Sequence, residues 1–168
     1  RRLLTADETP PWIALNPGAD SPFVLLGDHA SRTVPPWLTD LGLSDAELGR
    51  HIGWDIGIAG MGRALSQALS ATFIHQRFSR LVIDCNRDLR DHDLIVAETH
   101  GVIVPGNSDL DAAERAHRIA RYHRPYHDAV DEVLGGRPER TILVSVHSFT
   151  PELRGQRRAL EIGVLYDD

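Results

Sequence analysis

Short apolar runs alternate along this chain with stretches where apolar residues recur every three or four positions. Phe23-Val24-Leu25-Leu26 is a continuous apolar run and reads as a buried strand ending in Gly27-Asp28-His29. Pro35 and Pro36 then force a loop. Ser44, followed by Glu47, has the pattern of a capping box and predicts a short helix. Ile58, Met61, Leu65 and Leu69 recur at helical spacing and predict a second helix from about Asp55 to Ser70. Thr72-Phe73-Ile74 reads as a strand. Leu81-Val82-Ile83 reads as another, ending abruptly in Asp84, Asn86, Arg87 and Asp88. Pro105-Gly106-Asn107 marks a turn, and Ser108 is placed to cap a long helix. One face of that helix carries Ala112, Ala116, Ile119, His123, Tyr126, Val130 and Val133. Pro125 is expected to kink or split it, and Gly135-Gly136 to end it. Thr141–Val146 predicts a strand running into His147-Ser148-Phe149. After a loop with Arg154, Arg157 and Arg158, Leu160–Leu165 predicts a final one.

Strands alternating with helices imply an α/β fold of three layers, a mostly parallel sheet covered by helices on both faces. Residues 1–22, with four prolines, read as an extended N-terminal arm of a single domain spanning residues 1–168. A covering helix is expected after the last strand, so C-terminal elements of the domain are expected to lie beyond residue 168.

The 168 residues suffice for one domain with a real core, and 42% apolar and 25% charged residues are ordinary. A net charge of −6 argues against nucleic acid as a partner but leaves room for a small anion held by local arginines. No apolar run is long enough to span a membrane, and Arg1-Arg2-Leu3-Leu4 gives way at once to Thr5, Asp7 and Glu8, unlike a signal peptide. The single cysteine, Cys85, fits a reducing compartment, and a cytoplasmic location is expected. Oligomeric state is left open.

Nine histidines make their placement informative. Two predicted strands run into histidine, at His29 and His147, and parallel strands share one C-terminal edge, where ligands bind in open α/β sheets. Both imidazoles would therefore reach the rim that carries Asn86 and Arg87. Two histidines are half of a catalytic zinc site, which takes a further carboxylate or histidine and keeps one position for water. Asp55 is the first choice for that ligand and His51 the second. Asn86 and Arg87 side by side suit a planar anion. His123 and His127 share a helix face, but Arg124 replaces the glutamate of the helical zinc-protease pattern, so a packing or supporting role is the better reading. Gly60-Met61-Gly62 lacks the setting of a dinucleotide loop. Ser31 and Ser148 stand near histidines without a nucleophile elbow.

Taken together, Asp28-His29-Ala30-Ser31, His51-Ile52-Gly53-Trp54-Asp55, Ser79-Arg80-Leu81-Val82-Ile83-Asp84-Cys85-Asn86-Arg87, Pro125-Tyr126-His127 and Val146-His147-Ser148-Phe149 resemble the N-formylglutamate amidohydrolase family, within the zinc-carboxypeptidase-like superfamily. They occur in family order over nearly the whole chain. The resemblance implies a phosphorylase/hydrolase-like fold and a metal-dependent hydrolase, with zinc as the expected cofactor. The substrate it implies is the amide of a small anionic, amino-acid-derived molecule such as N-formylglutamate. It implies His29, His147 and Asp55 as metal ligands, Asn86 and Arg87 as the grip on the substrate's α-carboxylate, and Arg80 as added charge there. Such enzymes need a carboxylate base. Glu161 is the only carboxylate inside the final predicted strand and is the candidate here; the alternative is a base beyond residue 168.

Overall fold

The computed structural model describes residues 9–137, 140–153 and 155–166; Arg154 and residues 1–8 of the expected arm lie outside them. The elements are β1 (Trp12–Leu15), β2 (Phe23–Gly27), α1 (Asp45–Leu48), α2 (Ile58–Ala68), β3 (Thr72–Gln76), β4 (Glu98–Thr99) and β5 (Val102–Ile103). They continue with α3 (Pro105–Ser108), α4 (Ala112–Arg118), α5 (Arg124–Gly135), β6 (Ile142–Ser145), β7 (Glu152–Leu153) and β8 (Gln156–Arg157).

The central sheet has the order β1-β3-β2-β6. β2 pairs in parallel with β3 on one side and β6 on the other, while β1 is an antiparallel edge. The alternation of β2 and β3 sorts the core into two faces. Val24, Leu26 and Ile74 pack on Tyr126, Ala129 and Val130 of α5. Leu25 and Phe73 point the other way and pack with Leu65 of α2. The sheet is thus a mostly parallel middle layer between helices. Gly62 lets α2 approach closely: a Cβ there would stand 2.2 Å from the Phe73 ring.

Several expectations need correction. The N-terminal arm is in part a strand: Trp12–Leu15 pairs with Phe73–Gln76, and Pro10, Pro11, Pro17 and Pro22 flank that strand without interrupting it. Leu81-Val82-Ile83 is buried but is not a strand. The Val82 N–H turns back to the Ser79 carbonyl, while the Leu81 and Val82 carbonyls accept from Asn107 and Arg118 side chains. Side chains from α3 and α4 thus satisfy this backbone, and its apolar residues join a separate core cluster with Leu41, Leu94, Val104 and Tyr122. Leu160–Leu165 forms no strand. Its apolar side chains are exposed, and no ladder bonds its backbone among the described residues.

Pro105–Ser108 is a helical turn, and Asp111, in place of Ser108, caps the next helix by accepting from the Glu114 N–H. Pro125 is accommodated by a π-helical turn at Ile119–His123, after which α5 runs on. The second helix starts at Ile58, three residues after Asp55. The capping box of Ser44 and Glu47 forms as predicted.

Candidate active site

β2 leads to β3 on one side, and the chain later returns to β6 on the other side of β2. The crevice beyond the C-terminal ends of β2 and β6 is the point where the strand order reverses, and ligands favour such points. His29 follows β2 and His147 follows β6, and their ring centroids stand 5.1 Å apart. Asp55 joins them because its own backbone N–H donates to the His29 carbonyl. One ligand atom from each of His29, Asp55 and His147 lies within 4.8 Å of the others.

Both histidines are tied back through Nε2. His29 Nε2–H donates to Asp84 Oδ1 at 2.6 Å. Ser145 commits its hydroxyl proton to Asp28 Oδ2, so its oxygen accepts from His147 Nε2–H at 3.0 Å. Tyr126 donates to the other oxygen of Asp28. Both Nδ1 atoms therefore face Asp55. His147 Nδ1–H donates to Asp55 Oδ2 at 2.9 Å, a proton that a bound metal ion would displace, and His29 Nδ1 lies 3.6 Å from the same oxygen. The latter gap is too wide for a hydrogen bond, and His29 Nδ1 is a buried nitrogen with no partner. Two imidazole nitrogens and a carboxylate oxygen, each held by a further hydrogen bond or carboxylate behind it, are a donor set that fits zinc.

The electrostatics follow from this packing. Burial pushes the Asp55 carboxyl up, but His147 and His29 outweigh it and hold it well below the usual carboxylate range. Burial likewise opposes ionisation of Asp84, yet the His29 bond, the Arg80 charge and the Asn86 N–H bring its pKa down to about 2. Burial depresses His29, but the Asp55 and Asp84 carboxylates more than offset this, and its pKa stands above that of free imidazole.

Asp55 and Asp84 open onto a cleft of about 670 Å³, which Arg80, Arg87 and Arg158 also line. Arg80 pairs with Asp84 at 2.6 Å and approaches Asp55 at 3.7 Å. Arg87 Nε stands 2.9 Å from Asp93 Oδ2 as an ion pair, without the alignment of a hydrogen bond. The Arg87 loop is held from behind: His123 Nε2–H donates to the Arg87 carbonyl and His127 Nε2–H to that of Cys85. This is the supporting role expected of that pair.

The structure thus brings together His29, Asp55, His147, Arg80 and Arg87. His51 lines the cleft but stands outside the ligand group. Asn86 is exposed and does not line the cleft; its backbone N–H, and not its amide, serves the site by bonding Asp84. Glu161 is exposed in the unpaired segment and lines a different cavity, with Phe149 and Arg157. Asp84 and Asp28 were missed as site residues. The available signal was that each acid sits at the end of an apolar run beside a motif residue.

The family model of N-formylglutamate amidohydrolase matches residues 21–168. The chain belongs to this family. No curated protein matches it. Among solved structures, a gene product of Agrobacterium tumefaciens is similar at 38% identity and a TM-score of 0.89, over 95% of this chain and 64% of that one. An N-formylglutamate amidohydrolase from Ralstonia eutropha is similar at 26% identity and a TM-score of 0.68, over 84% of this chain and 58% of that one. The chain therefore spans less than two thirds of either solved relative.

Proposed function

We propose that this family member is a metal-dependent amidohydrolase that cleaves the amide of an N-acyl acidic amino acid, with N-formylglutamate as its substrate. The observation that carries the reading is His29 Nδ1. It is a buried, unpaired nitrogen aimed at Asp55 and His147 while its Nε2–H is locked on Asp84. An unpaired buried polar atom costs about 1–3 kcal/mol, which a ligand would recover. His29, Asp55 and His147 would hold one divalent ion, zinc because two imidazoles and one carboxylate suit that borderline ion. When bound, it supplies polarisation of the amide carbonyl and a lowered pKa for water. Arg87, with Arg80 also lining the cleft, holds the substrate's α-carboxylate by its charge, and the loop bonds from His123 and His127 keep Arg87 in register. The single buried cysteine agrees with work in the reducing cytoplasm. No helix among the described residues is long and apolar enough to cross a membrane.

A second reading, a small-anion-binding protein of the same fold, is favoured by one observation. Every carboxylate that lines the cleft, Asp55, Asp84 and Asp93, is already paired, which leaves no free carboxylate base in the cleft among the described residues. One experiment separates the two. Protein purified without a histidine tag is analysed for metal and assayed for formate release from N-formylglutamate. The expected result is one zinc per chain, formate release, loss with a chelator and recovery with zinc. Protein that binds N-formylglutamate in calorimetry but releases no formate with zinc restored makes it the anion-binding protein.

A further inference from the structure

The cleft has a wall that the ion site and Arg87 do not use. His51 and His100 meet there edge to face, with ring centroids 4.7 Å apart and planes at 83°. They come from separate loops. His51 precedes Trp54, and His100 sits at the tip of the β4–β5 hairpin, whose Thr99–Val102 pair fixes where the tip projects. The two tip residues both have positive φ, 48° at His100 and 73° at Gly101. A two-residue turn of this kind favours asparagine, aspartate or glycine at its first position, so an imidazole there is not explained by the turn.

The charge around His51 is one-sided. Burial lowers the His51 pKa, and the fields of His100, Arg50 and Arg80 lower it further; all three are basic groups. Among the described residues no carboxylate forms an ion pair with either ring. Nor does a third ligand join them to make a metal site. Two imidazoles that line an open cleft, His51 in the field of Arg50 and Arg80 and neither ring in an ion pair among the described residues, offer two N–H donors that match the two oxygens of a carboxylate.

We propose that His51 and His100 form a subsite for the substrate's distal carboxylate and make the cleft selective for N-acyl diacids. This rests on the amidohydrolase reading, whose substrate has two carboxylates of which Arg87 takes one.

The test compares N-formylglutamate with N-formylglutamine, which has the same shape but a neutral side chain. The wild type is expected to favour the diacid in kcat/KM. His100→Ala and His51→Ala should each lower that preference at least tenfold, chiefly through a raised KM for N-formylglutamate. His100→Asn, which suits the turn and keeps a donor, should recover part of it. His117→Ala, whose ring packs on Trp37, should leave the preference unchanged. An unchanged preference in both cleft variants of a folded, active protein overturns the proposal. Should the wild type cleave neither compound, the amidohydrolase reading fails and the subsite is judged by calorimetry with glutarate and its monoamide. Tighter glutarate binding that His100→Ala abolishes supports the subsite; equal binding of the two by the wild type overturns it.

Discussion

His29 shows how one side chain is given a single chemical role. Its Nε2 is 2.6 Å from an Asp84 oxygen, to which it donates its proton, and Asp84 is anchored in turn by Arg80 and by the Asn86 N–H. The tautomer follows from the carboxylate, which only accepts. The other ring nitrogen is thereby turned to Asp55 and His147, and the carboxylate behind the ring makes that nitrogen a more basic ligand for an ion bound there. Asp84→Asn keeps an acceptor for Nε2–H but removes the charge. It is expected to weaken zinc binding by roughly 10–100-fold, read by competition with a chromophoric chelator. Affinity equal to wild type would show that Asp84 only fills space. Arg87→Ala is the complementary change. It should leave zinc stoichiometry intact and raise KM for N-formylglutamate at least about tenfold, the scale of one lost charge-assisted hydrogen bond.

At the scale of elements, the close packing of α2 on the sheet is the most exposed to a small change. Gly62→Ala places a methyl group into the Phe73 ring, which is fully buried against Leu25 and Leu65. Overpacking of this kind costs about 1–3 kcal/mol, so the denaturant midpoint should fall with an unchanged slope. Arg118 is the counterpart on the other side. It is fully buried and bonds the Val82 and Gly106 carbonyls, Asn107 Oδ1 and Glu114, which pins the turn that carries Arg80 and Asp84. These elements also mark how far the sequence could be read. β2, β3 and β6 were legible because continuous apolar runs ended in turn or polar residues, and both histidines were placed by those strand ends. Leu81–Ile83 has the same apolar signature but is satisfied by Arg118 and Asn107, residues far along the chain, which no local pattern reveals. β1 was hidden because the prolines around Trp12–Leu15 look like those of an extended arm. Asn86 misled because a side chain adjacent to Arg87 in sequence need not face the same way. Asp84 and Asp28 carry a local signal, an acid that closes an apolar run beside a motif residue, but the contacts with His29 and Ser145 that define what they do are three-dimensional.

For the whole molecule, the titrating groups make stability depend on pH in two windows. His75 and His123 have folded pKa values lowered chiefly by burial. Their contribution is complete above the unfolded value of about 6.5 and is lost as pH falls from there toward the folded values. His29 runs the other way, because its folded pKa is raised: its contribution is complete below the unfolded value and fades as pH rises through the folded one. Asp84 and Asp55 are depressed, so their contribution holds above about pH 3.9 and is lost as pH falls through their folded values, about 2 for Asp84. Metal-free protein is therefore expected to lose stability steeply below about pH 4, where the two depressed carboxylates protonate. His123→Gln isolates one member of the set. The amide can still donate to the Arg87 carbonyl that His123 now serves, but it does not titrate. The difference in Tm between His123→Gln and wild type should shift in the variant's favour as pH falls from about 7.5 to about 5.5. A constant difference across that range would mean that protonating His123 costs the fold nothing, and that the bond to the Arg87 loop is made equally well by the charged ring.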